Sequence, residues 1–133
     1  MKAAPRPSVG RTRRLATGIA TGVGWVSLVL GVAMTLDPRT SAALLGWADR
    51  EGLSRLVGVA DLILGAGLLL DRRRERWMLA RVLLNALIGL VYVRVLAEGN
   101  LRHGRAGAGV GLMAALTVFD YSLSRRLREA ETS

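Results

Sequence analysis

Residues 55–77 read RLVGVADLILGAGLLLDRRRERW: an apolar run that carries a single carboxylate, Asp61, and stops at four arginines. From Arg55 to Leu70 the run has about 16 residues, ~24 Å at the helical rise. That is short against a hydrocarbon core of ~30 Å, so such a helix is expected to thin the bilayer or lean on its flanking arginines. Its nine Leu, Ile and Val residues favour insertion by about 3–5 kcal/mol, while a central Asp costs ~2.5–3.5. With three glycines added the balance lies near zero. The span is therefore expected to be stable only when packed against others, with Asp61 turned inward.

Three further runs complete the pattern. Leu15–Leu36 (LATGIATGVGWVSLVLGVAMTL) carries no charge, Met78–Ala97 follows the arginine block, and Ala106–Leu123 holds Asp120 near its end. The expected fold is all-α, a bundle of four transmembrane helices at about 15–36, 55–70, 78–97 and 106–123. This membrane domain, residues 15–124, lies between a basic segment 1–14 and a tail 125–133 that is basic and then disordered (EAETS). In the loop DPRTSAALLGWADREGLS, Asp37 and Pro38 stand in the order of an N-cap and a first helical residue. A short interfacial helix from Pro38 to about Trp47 is expected, an anchor rather than a lid, with Leu44, Leu45 and Trp47 facing lipid or the bundle. The chain shows no internal repeat.

Arginine and lysine in short loops stay on the cytoplasmic side of a membrane. With the N-terminus inside, the inner segments hold twelve basic residues: Lys2, Arg6, Arg11, Arg13, Arg14, Arg72, Arg73, Arg74, Arg76, Arg125, Arg126 and Arg128. The outer loops hold four, Arg39, Arg50, Arg102 and Arg105. The expected topology is N-in and C-in, in a bacterial inner membrane. The first run is too long for the ~7–15-residue core of a cleaved signal, and Thr12-Arg13-Arg14 reads as its positive anchor rather than a twin-arginine address.

The composition agrees. The 133 residues are 51% apolar, with mean hydropathy +0.34, and most of the 22% that are charged lie in blocks between the runs. A net charge of +9 would point a soluble chain toward nucleic acid, but the arginines bracket apolar runs and only six residues are aromatic, so nucleic acid is excluded as partner. Anionic lipid is the expected partner of the inner arginines, above all Arg13, Arg14, Arg72, Arg73, Arg74, Arg76, Arg125 and Arg126. With no cysteine and one histidine, His103, there is no disulfide framework, thiolate chemistry or paired metal ligand. Phosphate-binding loops, dinucleotide fingerprints and hydrolytic triads are also absent, so neither an enzyme nor a cofactor is expected.

The intramembrane polar residues are Asp61, Arg81, Asn85, Tyr92, Arg94 and Asp120. Counted down from the outer ends, Tyr92 and Arg94 lie within a turn of Asp61, so either could meet it. Arg81, Asn85 and Tyr92 share one face of the third helix, from which Arg94 points away. Arg81 and Asp120 each lie about one turn inside the inner boundary and are expected to pair. These contacts are expected to set helix register rather than to carry ions. Gly18 with Gly22, and Gly107 with Gly111, have the GxxxG spacing that allows close helix contact, in a dimer or within one subunit, while Gly58, Gly65 and Gly67 would let another backbone approach the Asp61 carboxylate.

The landmarks GWVSLVLGVA, ALLGWADREGLSRLVGVADLILGAGLLL and RWMLARVLLNAL give the chain a resemblance, over residues 22–97, to the small four-span DoxX-like membrane proteins of bacteria. Its most specific part is Leu53-x-Arg55-x-x-Gly58-x-x-Asp61 with Gly65 and Trp77-x-x-x-Arg81. The resemblance implies the four-helix fold and an acid at Asp61. Where relatives often carry an arginine just before that acid, this chain has Ala60, and where they carry further acids after the third-span arginine it has Asn85 and Ile88. Three classes of function follow: a structural or accessory membrane protein, first; a small oligomeric transporter or channel using Asp61, Asn85 and Tyr92; and, by the resemblance, a membrane subunit of a quinone-linked redox complex. A homo-oligomer or a larger membrane complex is compatible with each.

Overall fold

A computed structural model of the chain describes residues 9–47, 50–98 and 103–131. It contains five helices and, among the described residues, no strand: α1 (Val9–Leu36), α2 (Pro38–Leu45), α3 (Glu51–Leu70), α4 (Arg74–Ala97) and α5 (His103–Glu131). All but α2 are long and apolar enough to cross a membrane. Lys2, Arg6, Ala48, Asp49, Arg102 and the last two residues lie outside the description, as do the side chains of His103 and Arg105.

The helices overrun the expected spans. The basic segment is helical from Val9, and α5 continues through Arg125, Arg126 and Arg128 to Glu131, past the expected end at Leu123 and into the stretch expected to be disordered. Arginine and glutamate are good helix formers, and Arg125 and Glu129 add an i,i+4 pair at 3.6 Å. The most consequential extension is in α3. It starts at Glu51, not Arg55, with the Ser54 N–H donating to the Arg50 carbonyl at 3.1 Å. Its 20 residues give ~30 Å, so this span needs no thinning of the bilayer.

Short connections have local causes. The Asp37 carboxylate accepts from the Thr40 N–H at 3.1 Å, and Pro38 supplies the first turn of α2. Gly46 then takes a left-handed conformation (φ 74°, ψ 21°) that stops α2 at Leu45, short of the expected Trp47. The chain bends, and Trp47 enters the bundle at 1% exposure while Leu44 stays outside. Between α3 and α4, Asp71 accepts from the Arg73 N–H and the Trp77 indole N–H, both at 2.9 Å.

Packing divides the bundle into two close pairs, α1 with α3 and α4 with α5. Two apolar clusters fill the interior. One contains Met34, Val57, Ile88 and Tyr92; the other contains Ala20, Leu68, Met78 and Leu123. Exposed Leu, Ile and Val side chains on every spanning helix form the surface offered to acyl chains, as in Leu15, Val29, Leu56, Ile63, Leu83, Leu87, Leu112 and Val118.

Candidate functional site: a polar seam and the cavity above it

The two apolar clusters are separated by a layer of polar side chains drawn from all four spans: Ser27 (α1), Asp61 (α3), Arg81 and Asn85 (α4), and Asp120 (α5). Arg81 is its centre. Its Nε donates to Asp120 Oδ2 at 3.1 Å, and its Nη1 donates to the Ser27 hydroxyl and faces Asp61 Oδ1 at 3.5 Å. Asn85 Nδ2 donates to the same Asp120 oxygen at 2.7 Å.

The expected pairing of Arg81 with Asp120 is present. The expected partners of Asp61 are not: its cation is Arg81, whereas Arg94 is exposed and Tyr92 packs against Trp47 with ring centroids 5.7 Å apart. Depth explains the difference. The turn between α3 and α4 joins their basic ends, and from it Asp61 is ~9 residues up α3 (to Leu70) while Arg81 is ~7 residues up α4 (from Arg74). That puts them level within ~3 Å. Measuring from Arg55 as the far end of α3 set Asp61 too near the surface. The seam therefore lies deep in the bundle, not near the interfaces. Ser27 was missed because a serine in an apolar helix can satisfy itself on the preceding turn; nothing in its own neighbourhood marks it as a partner for charge.

Satisfaction is incomplete. Asp120, at 1% exposure, uses Oδ2 twice, while its Oδ1 is buried with no partner. Two carboxylates face one guanidinium. Next to the seam, at the junction of the helix pairs, lies a cavity of about 280 Å³. Asp61, Arg81 and Asn85 border it at one place, and Met34, Trp47, Ile88, Tyr92 and Met113 wall it with apolar and aromatic surface. Ser41, Leu44 and Leu45 bring α2 to its rim, which gives this helix a covering position as well as an interfacial one.

The other expected contacts gather at the end of the bundle that carries the α3–α4 turn. Arg11, Arg13, Arg14, Arg72, Arg73, Arg76, Arg125 and Arg126 are exposed there. Arg74 differs: half-buried, its Nη1 donates to the Thr17 carbonyl at 3.0 Å and the Thr21 hydroxyl at 2.8 Å, tying α4 to α1. Arg128 meets Glu75 at 3.5 Å and ties α5 to α4. The described ends of α1 and α5 thus share this face. Arg13, Arg72 and Arg74, with Thr17 and Asp71, line a second cavity of about 470 Å³. At the opposite end Arg39 and Arg50 are paired with Glu51 and Glu98 at 2.7 and 2.6 Å.

Asp71 provides a pH-dependent fastening of this turn. Its hydrogen bonds from the Arg73 N–H and the Trp77 indole hold its carboxyl below the usual carboxylate value. A carboxyl lowered in the folded state contributes fully above its unfolded value, about 4, and loses that contribution as pH falls through the folded value. Between pH 5 and 2, Trp77 fluorescence is expected to report loosening of the turn in the parent protein, and Asp71→Asn is expected to abolish that step. An unchanged titration in the variant would assign the step elsewhere.

Fold and seam define a four-span integral membrane protein. Compared with known protein families, characterised proteins and solved structures, this chain matches none.

Proposed function

We propose that this chain is a non-enzymatic structural or accessory protein of the bacterial inner membrane, N-in and C-in, related to the DoxX-like proteins, that works as a homo-oligomer or within a larger membrane complex. The observation that carries this reading is the use of Arg81: one guanidinium contacts Ser27, Asp61 and Asp120, which come from the three other spanning helices. Such a group fixes the depth and rotation of four helices at once. The uneven arginine distribution supports the orientation, and the paired state of Arg39 and Arg50 sharpens it.

In this reading the basic face binds anionic lipid, each interfacial arginine contributing ~1 kcal/mol. The cavity formed by Arg13, Arg72 and Arg74 would seat a phosphate head group. Nanodiscs rich in phosphatidylglycerol are expected to raise the melting temperature above that in phosphatidylcholine. Arg13→Gln with Arg72→Gln should remove most of the difference. Equal melting in both lipids would refute the lipid contact, while affinity purification in mild detergent with mass spectrometry tests for partners. A second reading, a small transporter or channel, is favoured by the cavity beside Asp61. It requires pH-dependent flux in liposomes that Asp61→Asn removes.

A further inference from the structure

We propose that the cavity between the helix pairs is a binding site for a small hydrophobic ammonium compound, with Asp61 as its counter-ion. The seam holds two carboxylates, Asp61 and Asp120, against the single guanidinium of Arg81. With both carboxylates ionised, one negative charge stays uncompensated deep in the bundle, where an unpaired charge is costly. Of the two, Asp61 borders the cavity.

The walls specify the rest of the ligand. Trp47 and Tyr92 stand together on the cavity, rings tilted at 52°, and aromatic faces attract ammonium groups. Met34 and Ile88 complete an apolar enclosure that favours a hydrophobic body. Trp47 is almost wholly buried, with its indole beside the Tyr92 ring on the same wall. At about 280 Å³ the space lies just below the ~300–1,000 Å³ of pockets that take drug-sized molecules, so the occupant is small. Carboxylate, aromatic pair, apolar wall and excess negative charge converge on one chemistry. At the same edge Asn85 is engaged with Asp120, and Arg81 is shared between Asp120 and Asp61, so its one positive charge balances only one of the two carboxylates.

The test compares phenyltrimethylammonium, a permanent cation, with tert-butylbenzene, its neutral isostere, on the full chain in nanodiscs, followed by calorimetry and tryptophan fluorescence. The cation is expected to bind more tightly than the isostere. Asp61→Asn, which balances the seam at one carboxylate and one guanidinium, should weaken the cation by about tenfold or more and leave the isostere unchanged. Ala33→Trp, at the exposed rim of the cavity, should weaken both probes without touching the seam. Because retained isostere binding reports an intact cavity, loss of the cation alone in Asp61→Asn cannot be misfolding. Equal affinity of the two probes, or cation binding that survives Asp61→Asn, would overturn the proposal and leave a proton as the group that balances the seam.

Discussion

Arg81→Met is expected to destabilise the bundle by about 3–5 kcal/mol, the largest effect of any single substitution in the seam. Lost hydrogen bonds alone do not give that figure, since interhelical bonds inside membranes average only ~0.6 kcal/mol. The larger part comes from what is left behind: Asp61 and Asp120, buried without a cation. The same reasoning predicts rescue. Asp61→Asn and Asp120→Asn added to Arg81→Met remove the stranded charge and should recover most of the loss. Unfolding by sodium dodecyl sulfate in mixed micelles, followed by far-ultraviolet circular dichroism, measures both variants. A single variant within ~1 kcal/mol of the parent would show that the seam does not hold the helices together.

The second large effect is expected at the contact of α1 with α3. A Cβ added at Gly31 would lie 2.7 Å from the Gly58 carbonyl oxygen, one at Gly58 2.8 Å from Met34 Cβ, and one at Gly65 2.8 Å from the Gly24 carbonyl oxygen. Backbone atoms cannot step aside, so the helices must separate. Each Gly→Val change there should cost about 1–3 kcal/mol or more, and the loss should appear in the same micelle titration. Gly18, Gly22, Gly107 and Gly111 behave oppositely, because a Cβ at any of them meets nothing within 4 Å in the chain. Alanine at these positions should be neutral or stabilising, by up to ~1 kcal/mol from helix propensity. If instead Gly18→Ala or Gly22→Ala lowers cross-linked dimer yield, those glycines face a second copy of the chain.

The glycines divide by partner. Gly58 and Gly65 admit a neighbouring backbone as their place beside Asp61 predicts, whereas the GxxxG pairs Gly18 with Gly22 and Gly107 with Gly111 meet nothing within this chain. The contacts use a spacing of seven, Gly24 with Gly31 and Gly58 with Gly65, which returns to nearly the same helix face after two turns. The two sets mate in antiparallel order, Gly31 at Gly58 and Gly24 at Gly65. Gly67 serves a different neighbour, the Trp77 ring.

What the residues alone determined is the part governed by transfer between water and lipid. Four apolar runs, their separation by charge blocks, the Asp37–Pro38 start of α2 and an inward-facing Asp61 all follow from local composition, because the cost of a charge in hydrocarbon is paid wherever that residue sits. The pairing of Arg81 with Asp120 was legible as well, from depth and helix angle. Tertiary structure alone decided that Asp61 and Asp120 share one arginine, that Ser27 joins them, that Arg74 docks on α1, and that α2 reaches the rim of a cavity. Those outcomes depend on how deep each helix sits and which way it is turned, and both are set by contacts between distant segments that no single run of sequence contains.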